Sequence, residues 1–176
     1  MQHPWITILL FLIIGPMAYG AWLAAPWVPT LSKQRKLLVD NLTITPTSTI
    51  YDLGCGSGSI LFEFANRYPD AQCIGYDVAL FPLFLGWLTK LRHPKRFKNV
   101  HLKFGNLFKK HFADADVIVA FLMAKAYPKF ITTLSRELKP SATVVIEAWP
   151  FPTIEPTEVI RGEKLLPWYV YRNFPH

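Results

Sequence analysis

The hydrophobic pattern divides the chain in two. Residues 5–28 form an almost wholly apolar run, and between Pro4 and Ser32 the only ionisable side chain is Tyr19. As a helix rising about 1.5 Å per residue, that run would reach roughly 36 Å, enough to cross a hydrocarbon core of about 30 Å with some tilt. Trp5 marks one end and Trp22 and Trp27 the other, where indole rings favour the headgroup boundary, and Pro16 beside Gly15 predicts a kink. A cleaved signal peptide would start with basic residues, whereas residues 1–5 offer only His3, although Ala18-Tyr19-Gly20 has the small-residue character of a cleavage site. A buried core helix is the other reading, but it needs no apolar run of this length. The pattern predicts a transmembrane anchor over residues 1–28.

Beyond it the period changes repeatedly. Residues 31–41 read as a short amphipathic helix, ended by Thr45-Pro46-Thr47, so residues 29–48 form a lead-in to a domain over residues 49–176. Strand patterns over residues 49–53, 72–77, 99–104, 116–121 and 143–148 alternate with helical patterns over residues 60–67, 81–91 and 127–138. Such alternation implies crossover connections, hence an α/β fold with a mostly parallel sheet wound on both faces. Residues 158–161 and 168–172, on either side of Gly162, read as an antiparallel pair closing one edge. About 148 residues follow the anchor, room for one α/β unit without a separate substrate domain.

Composition narrows the function classes. Hydrophobic residues make up 51% of the chain and charged residues 18%, which excludes a disordered chain. Cys55 and Cys73 have no ligand partners at metal spacing and are too few for a disulfide scaffold, so neither a metal site nor a stapled secreted fold is expected. Nineteen Lys and Arg against twelve Asp and Glu leave +7, a surplus that suits an anionic neighbour such as acidic lipid or nucleic acid. Lys33, Arg35 and Lys36 follow the apolar run while no Lys or Arg precedes it, which places the carboxyl domain on the cytoplasmic side of a single-pass membrane protein.

The chemistry concentrates in Asp52-Leu53-Gly54-Cys55-Gly56-Ser57-Gly58, at the end of the first strand of the domain. Its glycines permit a tight turn and close ligand approach, and the helix that follows offers free N–H groups to an anion. A dinucleotide fingerprint would need Gly or Ala where Ser59 stands, and a P-loop would need a Gly-Lys-Ser/Thr that is absent. Asp77 ends the second strand, 19 residues beyond Gly58, where an acid can accept ribose hydroxyls.

This loop, Asp77, Gly105-Asn106-Leu107-Phe108 and the fourth strand over residues 115–122 resemble the motifs of class I S-adenosylmethionine-dependent methyltransferases. Ala25-Pro26-Trp27-Val28-Pro29-Thr30, Glu137-Leu138-Lys139-Pro140, Trp149-Pro150-Phe151-Pro152 and Trp168-Tyr169-Val170-Tyr171 resemble a subgroup of small protein-lysine methyltransferases. That subgroup includes archaeal enzymes and membrane-anchored mitochondrial ones acting on the membrane-ring protein of ATP synthase or on the adenine nucleotide carrier. The resemblance implies a Rossmann-like class I methyltransferase sheet with S-adenosyl-L-methionine as cofactor. By position it implies that Asp52, Gly54, Gly56 and Gly58 hold the methionine part, Asp77 the ribose, and Asn106 and Leu107 the adenine. It also implies that Thr30 borders the same cofactor; the other reading of Thr30 is an exposed linker threonine. Asn106 stands where the family often has Asp, keeping an acceptor and losing a charge.

Methyl transfer needs a neutral nucleophile, alignment and a dry cleft. Glu147, Trp149 and Tyr127, at or beyond strand carboxyl ends, are the catalytic candidates, able to assist loss of a proton from an attacking lysine. The expected partners are the membrane and a protein carrying the target lysine; a quinone or lipid acceptor is the alternative. The basic stretch over residues 90–110 is the argument for RNA, but it lacks the aromatic interleaving of single-strand binders, so nucleic acid is the weaker expectation. Its other readings are a lipid-facing patch and a solvated face.

Overall fold

The structure is a computed structural model and describes residues 30–175 together with Pro4, Trp5 and Gly15. The anchor predicted over residues 1–28 therefore lies, apart from those three positions, outside the described residues. Among the described residues no helix is long and apolar enough to cross a membrane.

Seven strands, β1 (Thr49–Leu53), β2 (Gln72–Asp77), β3 (Val100–Phe104), β4 (Val117–Ala120), β5 (Thr143–Glu147), β6 (Glu158–Ile160) and β7 (Trp168–Arg172), form one sheet. Its order is β3-β2-β1-β4-β5-β7-β6, parallel from β3 to β5, with β7 antiparallel to both β5 and β6. The expected parallel sheet and closing antiparallel pair are both present. β4 and β5 sit centrally and are buried at every position, which explains why residues 117–120 and 144–146 read as continuous apolar runs rather than alternating ones. The strand order reverses between β1 and β4, so a crevice opens beyond their carboxyl ends.

The two faces are unequally covered. Helices α1 (Ser32–Asn41), α2 (Ser59–Arg67) and α3 (Leu80–Arg92) bury Leu38, Leu42, Leu61, Phe64 and Leu83 against Ile50, Cys73, Val100, Val119 and Val145 of the sheet. The opposite face carries α4 (Tyr127–Glu137), which packs Phe130 and Leu134 with Ile118, Val144 and Ile146. Elsewhere that face is filled by an aromatic group, Phe151, Tyr171 and Phe174. Winding on both faces thus holds with an imbalance that has a local cause. The β5–β6 connection contains Pro150, Pro152 and Pro156, which cannot continue a helix, and the β3–β4 connection forms only a short 3-10 turn at Leu107–Lys109.

α1 belongs to the domain rather than to a loose linker. Gln34 Nε2 donates to the Leu166 carbonyl at 2.6 Å, Trp168 Nε1 donates to the Gln34 carbonyl at 3.2 Å, and Trp168 is fully buried. At the other side of the sheet, side chains of α3 close over the free edge of β3. Trp87 Nε1 donates to the Leu102 carbonyl at 3.0 Å, and Lys90 Nζ donates to the Val100 carbonyl.

α3 can lie this close because position 86 is glycine. A Cβ there would stand 2.4 Å from Leu102 Cδ1 and 2.5 Å from the Ser57 carbonyl oxygen, and the second of these is backbone that cannot rotate away. Gly86→Ala is therefore expected to lower stability by about 1–3 kcal/mol despite the better helix propensity of alanine. Urea unfolding of the variant against wild type checks this; equal midpoints would mean that α3 is free to shift.

Candidate active site

The glycine loop after β1 has the conformation its sequence implies. Gly54, Gly56 and Gly58 have φ of 90°, 53° and 74°, the left-handed region in which a side chain is strained, so the run needs glycine at all three places. The N–H groups of Gly54 and Cys55 both donate to the Tyr76 carbonyl, at 2.9 and 3.1 Å, which ties the loop to the end of β2. Gly58 caps α2 and accepts from the Phe62 N–H at 3.0 Å; the first N–H groups of α2 have no partner within the helix, which suits an anionic ligand group. An added Cβ at Gly54 would meet nothing within 4 Å, so the loop has open space beside it.

Asp77 already has work to do without a ligand. One carboxylate oxygen accepts the Gly56 N–H at 2.7 Å and the other accepts the Ala79 N–H, also at 2.7 Å. Each oxygen retains a lone pair for a hydroxyl. Burial pushes its pKa above the ordinary value, while the Ala79, Gly56 and Val78 N–H groups oppose that shift. Asp52 at the end of β1 is 3% exposed and is pushed well above the usual carboxylate range, first by burial and then by the charges of Asp77 and Glu147. Glu147 ends β5 at 2% exposure; burial raises its pKa to about 7, opposed by a hydrogen bond from Thr30 Oγ1 to Glu147 Oε2 of 3.2 Å. Two buried acids, Asp52 and Glu147, and the half-buried Asp77, from three strands, thus share one crevice, an arrangement that stabilises cations and disfavours further anions.

Past Glu147 the backbone turns abruptly. Ala148 has φ of 72°, and the Trp149 N–H donates to the Glu147 carbonyl at 2.9 Å, closing a strained three-residue turn. That turn sends Trp149 out of the strand line, 52% exposed and stacked on Phe121 with centroids 5.7 Å apart. Tyr127, a catalytic candidate, spends its hydroxyl on the Trp149 carbonyl at 2.6 Å and is itself buried, so it braces this segment. Tyr171 braces it further on, accepting the Phe151 N–H at 2.8 Å.

Other expected residues take structural duties. The Asn106 side-chain oxygen accepts the Phe108 N–H at 2.9 Å, capping the 3-10 turn, so the acceptor carried over for adenine is partly engaged. Leu107 is buried in the second core group. Thr30 faces Glu147 through its hydroxyl and accepts from Arg35 Nη1 through its carbonyl, so it joins the lead-in segment to β5. Cys55 and Cys73 are buried thiols, Cys73 pushed up to about 12 by burial, and neither suits a thiolate nucleophile. Sequence reasoning missed Phe121, Gly86 and the turn at Ala148. The first looked like an ordinary strand residue, the second like a tolerated helix glycine, and nothing in an alanine announces positive φ.

The Glu147 environment has a consequence for stability. Its folded pKa of about 7 exceeds the unfolded 4.5, so the native state binds the proton more tightly, and stability present below pH 4.5 is lost as pH rises through 7. Glu147→Gln keeps an acceptor for Thr30 and removes the charge. The variant is expected to match wild type at pH 4 and to exceed it at pH 8 by an amount on the order of 3 kcal/mol. Chemical unfolding at the two pH values measures it; no gain at pH 8 would show that the carboxylate is adequately solvated.

The chain is similar to a protein-lysine N-methyltransferase of Saccharolobus islandicus, 25% identical over 138 residues that span 78% of this chain and 85% of the relative. It is also similar to a lysine N-methyltransferase of Xenopus laevis described as acting on the C-type subunit of ATP synthase, 28% identical over 139 residues, 78% of this chain and 59% of that relative. Among solved structures, an RNA methyltransferase of Salinibacter ruber in complex with S-adenosyl-L-homocysteine shares the fold, with a TM-score of 0.76 and 20% identity over 85% of this chain and 95% of that one. Residues 52–158, more than half of the chain and including the glycine loop, Asp77, Asn106, Tyr127, Glu147 and Trp149, match the ANTKMT methyltransferase domain, and the chain belongs to that family.

Proposed function

We propose that this methyltransferase transfers a methyl group from S-adenosyl-L-methionine to a lysine of a membrane-associated protein, with residues 1–28 as a single membrane anchor and the domain on the cytoplasmic side. The observation that carries the reading is the hydrogen bond from Thr30 to Glu147. Thr30 stands two positions beyond the apolar run, and its partner ends β5 beside the crevice acids. A chain leaving the bilayer there has its acceptor-side carboxylate within a residue or two of the headgroup plane. Tethering of this kind raises the effective concentration of acceptors in the same membrane without a large interface. Two of the relatives, those of Saccharolobus islandicus and Xenopus laevis, are described as lysine methyltransferases, which supports the choice of lysine.

The residues present fit the donor. The positive-φ glycine loop and the start of α2 suit the methionine carboxylate, the buried acids its cationic groups, and the spare lone pairs of Asp77 the ribose hydroxyls. When bound, S-adenosyl-L-methionine supplies a methyl group activated by a positive sulfur. The chain's own part is to present the amine. Ionised Glu147 attracts the lysine ammonium and takes its proton, a transfer favoured by a pKa near 7. The Phe121–Trp149 stack supplies an apolar wall that lowers the ammonium pKa and accommodates a methylated cation. The freed nitrogen lone pair forms the new bond to the methyl carbon as the carbon–sulfur bond breaks toward sulfur.

Asp77→Ala is expected to weaken S-adenosyl-L-homocysteine binding by about 2–4 kcal/mol, through lost hydrogen bonds to a charged acceptor and a loosened loop. Calorimetry reads this directly, and unchanged affinity would remove Asp77 from the site.

Incubating the protein with membranes and methyl-labelled cofactor should label a protein fraction, in lysine peptides carrying methyl-sized mass increments. Label confined to the lipid extract would establish a quinone or lipid acceptor instead. For the lysine reaction, kcat is expected to rise with pH through about 7 in wild type, and Glu147→Gln to lose that inflection together with about a hundredfold or more in rate.

A further inference from the structure

The edge of the sheet built by α3 and β3 is unlike the rest of the surface. Residues 78–113 contain eight of the nineteen cations, Lys90, Arg92, Lys95, Arg96, Lys98, Lys103, Lys109 and Lys110, and none of the twelve acids. Among the described residues none of these eight joins the ion pairs, which are made by His111, Arg136, Lys139 and Arg172. The field they create is felt locally: His101, on β3, has its pKa held down first by burial and then by Lys90 and Lys103.

The same edge exposes large apolar side chains in a regular row. Leu80, Phe84, Trp87 and Leu91 recur at helical spacing along α3 and are 41–74% exposed, and Phe104 at the end of β3 is 56% exposed. Turning about 100° per residue, Arg92 lies slightly more than a quarter-turn to one side of that row, while Lys90 falls toward the packed side and gives its ammonium to the Val100 carbonyl. The buried contacts of α3 are made instead by Pro82, Leu83 and Gly86. An outward apolar stripe with Arg92 beside it and Lys95, Arg96 and Lys98 just beyond its end is the pattern of a helix lying in a membrane interface, stripe inward and cations at the phosphates.

We infer that the α3–β3 edge docks on the surface of an anionic phospholipid bilayer. Charge complementarity favours an anionic partner, and the stripe selects among anionic partners. Leu80 and Leu91, at the two ends of the row, gain nothing from phosphates or stacked bases, so a nucleic acid would leave them in water, whereas the acyl boundary buries the whole row. Leu80 and Phe104 lie at the crevice end of the edge, next to Asp77, whose carbonyl accepts the Gly105 N–H at 2.8 Å. Docking would therefore bring the crevice rim to headgroup level by a contact separate from residues 1–28, and the inference does not rest on the identity of the methyl acceptor.

The test uses the full chain with Leu91→Cys carrying an environment-sensitive fluorophore; Cys55 and Cys73 are buried and do not compete for the label. A second labelled variant, Glu163→Cys, sits in the turn between β6 and β7 at the far edge. Vesicles are phosphatidylcholine alone or with phosphatidylserine, each with brominated acyl chains as quencher. The expected result is a blue shift and quenching at position 91 only with phosphatidylserine, none at position 163, and reversal in high salt. Replacing Arg92, Lys95 and Lys98 together with Gln should lower the docked-to-free ratio about a hundredfold, since each cation near an anionic surface contributes roughly a factor of five. Total vesicle binding reports residues 1–28 separately, so loss of the anchor and loss of docking are distinguishable. A vesicle-bound chain whose position-91 probe keeps its aqueous emission overturns the inference. So does equal quenching in phosphatidylcholine alone, or a blue shift produced by an RNA oligomer and not by vesicles.

Discussion

The carboxyl end of the sheet is organised around the Asp77 carboxylate. By accepting Gly56 N–H with one oxygen and Ala79 N–H with the other, it fastens the glycine loop and the entry to α3 to a single point on β2. The loop then presents its Ser57 carbonyl to Gly86, α3 settles against it, and Trp87 and Lys90 reach β3. A buried charge is costly when alone and well supported when N–H dipoles surround it, so this residue is both ligand-binding candidate and structural clamp.

The charge of the molecule is divided to match. The chain carries +7, yet Asp52, Asp77 and Glu147 gather in the crevice, where the charges of Asp77 and Glu147 add to burial in raising the proton affinity of Asp52. Acids held together at a stability cost make sense where the visitor is a cation, and the sulfonium donor is one. The strained turn at Ala148 follows Glu147 directly and turns Trp149 onto Phe121, while Tyr127 and Tyr171 hold the segment in place.

Much of this was legible in the sequence, for physical reasons that differ between elements. β1, β2 and β7 fall where residue patterning puts them, and the other strands within one residue at either end, because burial on one or both faces dictates the side chains. The glycine loop was legible because no other residue tolerates its φ values. Asp77 was visible as an acid at a strand end, but its bonds to Gly56 and Ala79 were not, since they depend on how two loops meet in space. Tyr127 read as a candidate reagent and proved to be a brace, because a sequence shows a hydroxyl without its partner. The thin covering of the second face could be seen only as prolines in the β5–β6 connection; that aromatic side chains would fill it required the packing itself.

The way α3 treats the β3 edge has a consequence for how copies of this protein coexist. An open edge strand is a template on which another chain can add. Here the carbonyls of Val100 and Leu102 are already occupied by Lys90 and Trp87, and the opposite edge strand, β6, is three residues long and carries the Glu158–Arg172 ion pair. Neither side offers the long unpaired ladder that sheet-to-sheet polymerisation requires.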